Sequence, residues 1–291
     1  MRPRPRRIPG HGERGARFSV VGHASTLPAM LRTVAATRYV TPFREGGSLP
    51  GLCEADDDGL YVVKFHGAGQ GPKALVAEVI VGELARALEL PVPELVLVEL
   101  DARFAAGEPH WEVKELLDRS PGTNLGVDFL PGALGFAPAV GPRPEPDLAA
   151  AFVWLDAFTM NVDRTARNPN LLHWHGRLYG IDHGAALYMQ HRWADALRDP
   201  GHARRQFPQV RDHVLLPFAA SIADADARLA PQVTDDLLRT LVDLVPAAWL
   251  EGEPAFASVD DNRAAYVDYL RRRLIAPRAF VEEAERARTG A

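Results

Sequence analysis

The chain changes its hydrophobic rhythm once, and that change limits the folds open to it. Up to residue 100 the apolar residues fall mainly in short alternating runs separated by turn residues, and beyond residue 190 they recur at helical spacing. Residues 33–41 read as a first strand, Cys53 and Glu54 end a second, and residues 60–66 (LYVVKFH) form a third, with Asp56-Asp57-Asp58-Gly59 as the hairpin signal before it. Residues 73–89 set Leu75, Val79, Leu84 and Leu88 on one side of an amphipathic helix, which Pro91 and Pro93 close off. Residues 94–100 give a fourth strand. Residues 101–146 are irregular and rich in Gly and Pro, with 127–132 as a strand entering a linker. Asp147 is the candidate cap of a helix running to about Met160. Residues 171–174 and 177–181 are short strands around a His175-Gly176 turn, and 235–245 and 260–273 are helices. There is no internal repeat. A β-rich first part with one helix, followed by a mainly helical second part, predicts an α+β fold in two lobes with a cleft between them.

Composition narrows the function classes. With 291 residues, 47% hydrophobic and 24% charged, the chain is long enough for a substantial core. A formal net charge of -5 gives no general support to nucleic-acid binding. The one cysteine, Cys53, excludes an intrachain disulfide and a multi-cysteine zinc site, and reads as a half-buried strand residue. No apolar run approaches the ~18 residues a membrane helix needs, and the basic N-terminus lacks the apolar stretch of a secretory signal. A cytoplasmic protein with no membrane partner is expected. Residues 1–29 carry six arginines against one glutamate with scattered Pro and Gly, and read as a disordered basic extension. Met30 opens the ordered-looking sequence, so the upstream stretch also fits a mis-assigned start.

Phosphoryl transfer needs cationic or backbone groups around phosphates, oxygen ligands for magnesium, and a base that orients the acceptor hydroxyl. Asn161-Val162-Asp163-Arg164-Thr165-Ala166-Arg167-Asn168 places an asparagine five residues after an aspartate, and Asp182-His183-Gly184 follows after the short hairpin. That is the spacing and order of a kinase catalytic loop and its metal motif. Asp163 is the candidate base, and Asn168 and Asp182 are the candidate Mg2+ ligands. Asn170 competes with Asn168, which the spacing favours.

Lysine occurs only three times, at 64, 73 and 114, while arginine supplies 30 basic residues. Lys64 stands in the apolar strand Tyr61-Val62-Val63-Lys64-Phe65, and the next helix offers Glu78 and Glu83 as partners. A strand lysine clamped by a helix glutamate is the device that positions α- and β-phosphates. Glu78 is preferred, and Glu83 is expected at the surface. The glycine loop Glu45-Gly46-Gly47-Ser48 precedes the lysine strand and is the candidate phosphate loop. Gly67–Lys73 lacks the Gly-Lys-Ser/Thr ending, and Pro72 removes a backbone N–H, so it reads as a plain strand-to-helix loop.

Taken together, Gly46, Gly47 and Ser48, Val63-Lys64, Glu78 leading into Leu90-Pro91-Val92-Pro93, Asn161-Val162-Asp163-Arg164, Asn168 and Ile181-Asp182 make the sequence, over about 31–190, resemble a HipA-like kinase. That family is a branch of the protein-kinase superfamily related to phosphatidylinositol 3- and 4-kinases. The resemblance implies a bilobal protein-kinase-like fold, with an N-lobe and hinge over 30–132 and a helical C-lobe over 133–291. It implies ATP and Mg2+ as cofactors, Lys64 on the ATP phosphates, Glu78 orienting Lys64, and Phe129 and Leu130 as the hinge beside adenine. It implies transfer of the γ-phosphoryl group to a hydroxyl, with serine or threonine of a protein as the first choice of acceptor. The alternatives are a small-molecule or lipid hydroxyl, and a non-catalytic nucleotide-binding pseudokinase. An antitoxin-like partner is a further implication of the resemblance. Ser48 lies where family members can be autophosphorylated, or serves as a phosphate contact. The sequence departs from the family in having Thr165 for the usual histidine, His183 within the metal motif, no Ala-Pro-Glu element, and no room for the N-terminal subdomain of full-length HipA toxins.

His173, His175 and His183 read as turn and surface histidines rather than a metal set, with His183 against the catalytic loop as a further reading. Trp154, Phe158, Trp174 and Trp193 read as core.

Overall fold

The computed structural model of the chain describes residues 30–43 and 49–290. The expectations for residues 1–29 and for Gly46, Gly47 and Ser48 therefore lie outside the described residues. The described fold is mixed α+β.

Five strands close into a barrel. They are β1 (Thr33–Pro42), β2 (Gly51–Ala55), β3 (Leu60–Lys64), β4 (Leu95–Leu100) and β5 (Gly122–Asp128), in the order β1-β2-β3-β5-β4. β1 runs antiparallel to β2 and, over Thr33–Ala35, parallel to β4, which closes the barrel. Strand alternation sends Cys53, Tyr61, Val63, Val96 and Val98 into one apolar cluster. Cys53 is fully enclosed rather than half-buried, at 1% exposure. Because Val63 points inward, its neighbour Lys64 emerges on the outer face, where the first helix lies.

Two features differ from the sequence expectation in this region. β5 spans 122–128 rather than 127–132. Its pairing with β4, from Leu95↔Val127 to Leu100↔Gly122, supplies what the local pattern of Gly122, Asn124 and Gly126 does not. The stretch read as irregular also contains a helix, α2 (Trp111–Asp118), which buries Val113, Leu116 and Leu117 against the barrel cluster.

The first helix, α1 (Pro72–Ala87), starts at Gly71, whose φ of 63° suits glycine, with Pro72 in the first turn where its missing N–H costs nothing. It is not amphipathic as expected. Every residue from Leu75 to Ala85 is buried, Glu83 among them. The reason is position: α1 rests on β4 on one side and on α6 (Asp235–Asp243) and the 247–249 turn on the other. A helix enclosed on all sides has no polar face to display. Glu83, expected at the surface, is 1% exposed and is offset by Arg86, whose Nε lies 3.2 Å from its carboxylate. At Gly82 an added Cβ would come within 2.9 Å of Leu95 Cδ1, so glycine permits the close approach to β4.

The remaining elements are largely helical. A small sheet of β6 (Leu134–Gly135), β7 (Leu171–Trp174) and β8 (Arg177–Gly180) flanks the long helix α3 (Pro146–Thr159). α5 (Ile222–Leu229), α7 (Val259–Arg273) and α8 (Ala279–Thr289) pack against α3, and α4 (Trp193–Arg198) packs on the short 3-10 turns that flank it. The cap of α3 is Glu145, whose side chain accepts from Leu148 N at 2.7 Å, and Asp147 sits inside the first turn instead. Trp154, Phe158 and Trp193 are core as expected. Trp174 is not: it is only half-buried, with its indole N–H donating to Pro131 O at 3.0 Å. Among the described residues no helix is long and apolar enough to cross a membrane.

The barrel and the helices are tied together directly. Trp249 Nε1 donates to Thr123 O at 3.1 Å, and Lys73 Nζ reaches Gln190 O at 2.6 Å and Glu253 Oε2 at 2.7 Å. Lys73, in the first turn of α1, thus bridges that helix to the segments around Gln190 and Glu253.

Candidate active site

Two clusters of polar side chains, one on β3, α1 and the segment after β8 and one on the loop after α3, are linked by Arg164. The first is centred on Lys64. Its ammonium contacts Glu78 Oε1 and lies 2.7 Å from Asp182 Oδ1. Glu78, only 2% exposed, also accepts from the backbone N–H of Gly184 at 2.7 Å. A side chain at 184 would place a Cβ 3.0 Å from that same oxygen, which explains the glycine there. Asp182 itself holds the left-handed backbone region, with φ 56°, a conformation that costs about 1–3 kcal/mol for a non-glycine residue. Burial disfavours the Lys64 charge, but the Glu78 and Asp182 carboxylates outweigh it and hold the ammonium above its ordinary value. Lys64 in turn holds Asp182 below the usual carboxylate range. Burial pushes Glu78 up to about 7 against the pull of Lys64. Of the two carboxylates sharing one ammonium, burial thus raises the enclosed Glu78, while Lys64 keeps the more exposed Asp182 ionised.

The second cluster is centred on Asp163. α3 ends at Met160, in the left-handed region with φ 59°, which turns the chain sharply into the loop. Asn168 Nδ2 donates to Asp163 Oδ2 at 2.7 Å, and Asn170 Nδ2 approaches the same oxygen at 3.4 Å. Since a carboxylate only accepts, Asn168 must present its NH2 to Asp163, which leaves its Oδ1 available to a cation. Asp182, 46% exposed, offers the second oxygen donor. One carboxylate and one amide oxygen suit Mg2+, which takes few protein oxygens and completes its shell from phosphate and water.

Arg164 joins the two clusters, and sequence reasoning missed its part. It is 1% exposed. Its Nη1 donates to the carbonyls of Asn170 and Ile181, and its Nη2 donates to His183 Nδ1 at 3.1 Å. Those partners bracket Asp182 in sequence. The guanidinium is balanced by Asp156, whose Oδ2 accepts from Arg164 Nε at 2.5 Å and from His213 Nε2 at 2.9 Å. Burial opposes the Asp156 charge, but Arg164 and His213 overcome it and keep the carboxyl well below the ordinary range. His183 is not a surface histidine. It is 3% exposed, and burial together with the Arg164 charge lowers it to about 3, so it is neutral at neutral pH. One signal was present in the sequence: Asp156 is a lone carboxylate in the otherwise apolar run 149–158, where a buried charge requires a partner.

The expected hinge lies at the far end of β3. Phe129 N donates to Leu60 O at 3.0 Å, while Lys64 pairs with Leu125. At about 3.3 Å per residue the two ends of β3 stand roughly 13 Å apart. The Phe129 ring faces Phe43 at 6.5 Å between centroids, and Leu130 is buried. His173 is half-buried beside Phe136, at 5.6 Å between rings, and His175 is exposed in the turn.

A family model described as HipA-like kinase matches residues 37–276. Comparison with curated proteins finds no match. Among solved structures, the crystal structure of the Helicobacter pylori proinflammatory kinase CtkA aligns with a TM-score of 0.51 and 14% identity, over 89% of this chain and 99% of that one. At that identity the likeness concerns the fold alone. The family match covers most of the chain, and the chain belongs to the HipA-like kinases, a family of phosphotransferase enzymes.

Proposed function

We propose that the chain transfers the γ-phosphoryl group of ATP, bound with Mg2+, to the hydroxyl of a serine or threonine in a protein. The observation that carries this reading is the Lys64 ammonium held between Glu78 and Asp182, with the Asp163–Asn168 pair brought up to it through Arg164. In this reading the barrel with α1 is one lobe, the helices from α3 onward are the other, and the nucleotide lies between them along the line from Phe129 and Leu130 to Lys64. Lys64 would hold the α- and β-phosphates, with Glu78 keeping its ammonium in place. Asn168 and Asp182 hold Mg2+, which when bound neutralises charge on the phosphates. Asp163 receives the proton of the acceptor hydroxyl, and its contact with Asn168 fixes which carboxylate oxygen faces the acceptor. The reaction then needs little beyond placement and charge.

The test is incubation with γ-labelled ATP, with and without cell extract, together with Mg2+-dependent thermal shifts by ATP. Label in protein bands, lost in Asp163→Ala while the ATP-induced shift remains, is the expected result. Label confined to small molecules or lipids transfers the reading to that acceptor class. ATP binding without consumption makes the chain a pseudokinase. No ATP-induced shift at all overturns the site.

A further inference from the structure

The reading above uses Asp163 and Asp182 directly, but not the buried groups that support them. Arg164 stands next to Asp163 in sequence and grips the residues on both sides of Asp182, through Ile181 O and the His183 ring. A planar guanidinium in such a place fixes both distance and angle. Its orientation is tied to Asp156, the one carboxylate it contacts among the described residues. Asp156 Oδ2 receives a second donor from outside the loop. His213 reaches it from the 208–215 segment, which is joined to the loop by the Thr165↔His213 bridge and by Val214 N donating to Arg164 O at 3.1 Å. The ring's other nitrogen, Nδ1, accepts from Leu215 N at 3.1 Å. The proton of the neutral ring is therefore on Nε2, and the contact with Asp156 runs in one direction only.

We propose that His213 is a positioning residue: by donating from Nε2 to Asp156 it sets Arg164, and through Arg164 the placement of Asp182 relative to Asp163. The proposal rests on the reading of those aspartates as cation ligand and base. The magnesium requirement of the site then depends on a residue that touches neither cation nor nucleotide, in the way outer partners tune a metal ligand.

Two amide variants separate positioning from loop support. His213→Asn puts its carbonyl where Nδ1 stands and keeps the Leu215 bond, while losing Asp156. His213→Gln extends its NH2 to where Nε2 stands and keeps Asp156, while losing Leu215. The quantity read is the Mg2+ concentration giving half the ATP-induced rise in melting temperature, with ADP formation as a second readout. The expected result is a requirement raised about 10-fold in His213→Asn, at the lower end of losses for outer metal-ligand partners, and restored to near the unsubstituted value in His213→Gln. Equal requirements in the two variants, or the larger defect in His213→Gln, overturn the proposal. So does a His213→Asn protein that unfolds before the titration can be read, since that marks a bond serving the fold alone. An unsubstituted chain that shows no ATP-induced shift overturns the kinase-site reading itself, and this proposal with it.

Discussion

Replacing Asp156 by asparagine removes a charge and leaves the shape almost unchanged, so its cost measures what that charge does. The carboxylate is fully buried and accepts three hydrogen bonds: from Arg164 Nε at 2.5 Å, His213 Nε2 at 2.9 Å and Asn161 Nδ2 at 3.1 Å. In Asp156→Asn the amide oxygen can serve Arg164 and His213, but its NH2 then faces the NH2 of Asn161, which cannot turn without giving up Asp163 N. Arg164 is left as an enclosed cation with no counter-charge. Breaking a buried pair in this way costs about 3–5 kcal/mol. Equilibrium urea unfolding followed by circular dichroism, in EDTA at pH 7.5, reads it as a lower midpoint at unchanged slope. The double variant Asp156→Asn/Arg164→Met removes the stranded cation, and its loss should fall short of the sum of the single losses by about 2 kcal/mol. A loss below about 1 kcal/mol in Asp156→Asn would refute the counter-ion role.

Three further outcomes follow from the same structure. His183 is neutral when folded, at about 3, and takes a proton near its ordinary 6.5 on unfolding. Its contribution is complete above pH 6.5 and declines as pH falls towards 3, so at about 1.4 kcal/mol per unit the chain loses roughly 2 kcal/mol between pH 7.5 and 5 on its account. Urea midpoints in EDTA should show that slope reduced in His183→Gln, and identical slopes would contradict the burial. Burial raises the Cys53 thiol to about 12, so the native protein should resist iodoacetamide at pH 8 and react only in denaturant; equal rates would mean that the barrel is open there. Phe158 stacks on Trp154 at 5.3 Å and packs on Phe280 at 5.8 Å between centroids, so Phe158→Ala should cost about 3–5 kcal/mol in the same unfolding assay.

The groups expected to do the chemistry were legible because their spacing is local. Asp163 and Asn168 share one loop, Asp182 and Gly184 share one turn, and Lys64 and Glu78 lie on consecutive elements. The structure brings these side chains into contact or links them through Arg164. What could not be read is what depends on distant partners. β5 owes its register to β4 rather than to its own alternation. Glu83 looks like a surface residue until α6 covers the far side of α1. His213 lies 57 residues from Asp156, and nothing near it in sequence announces a carboxylate. Trp174 reads as core by type, yet its indole serves a backbone carbonyl beside the turn at 131–132.

The enclosure of α1 has a consequence for control. In a kinase whose glutamate helix borders solvent, swinging that helix outward is a cheap way to switch the enzyme off. Here the same swing would strip Leu75, Val79, Ile80 and Leu84 of their neighbours, at about 1.5–3 kcal/mol each, a total comparable to the whole stability of a domain. The contacts of Lys73 with Gln190 O and Glu253 would have to break as well. Burial of α1 thus holds the Lys64–Glu78 pair together at a cost that outward movement of the helix would have to overcome.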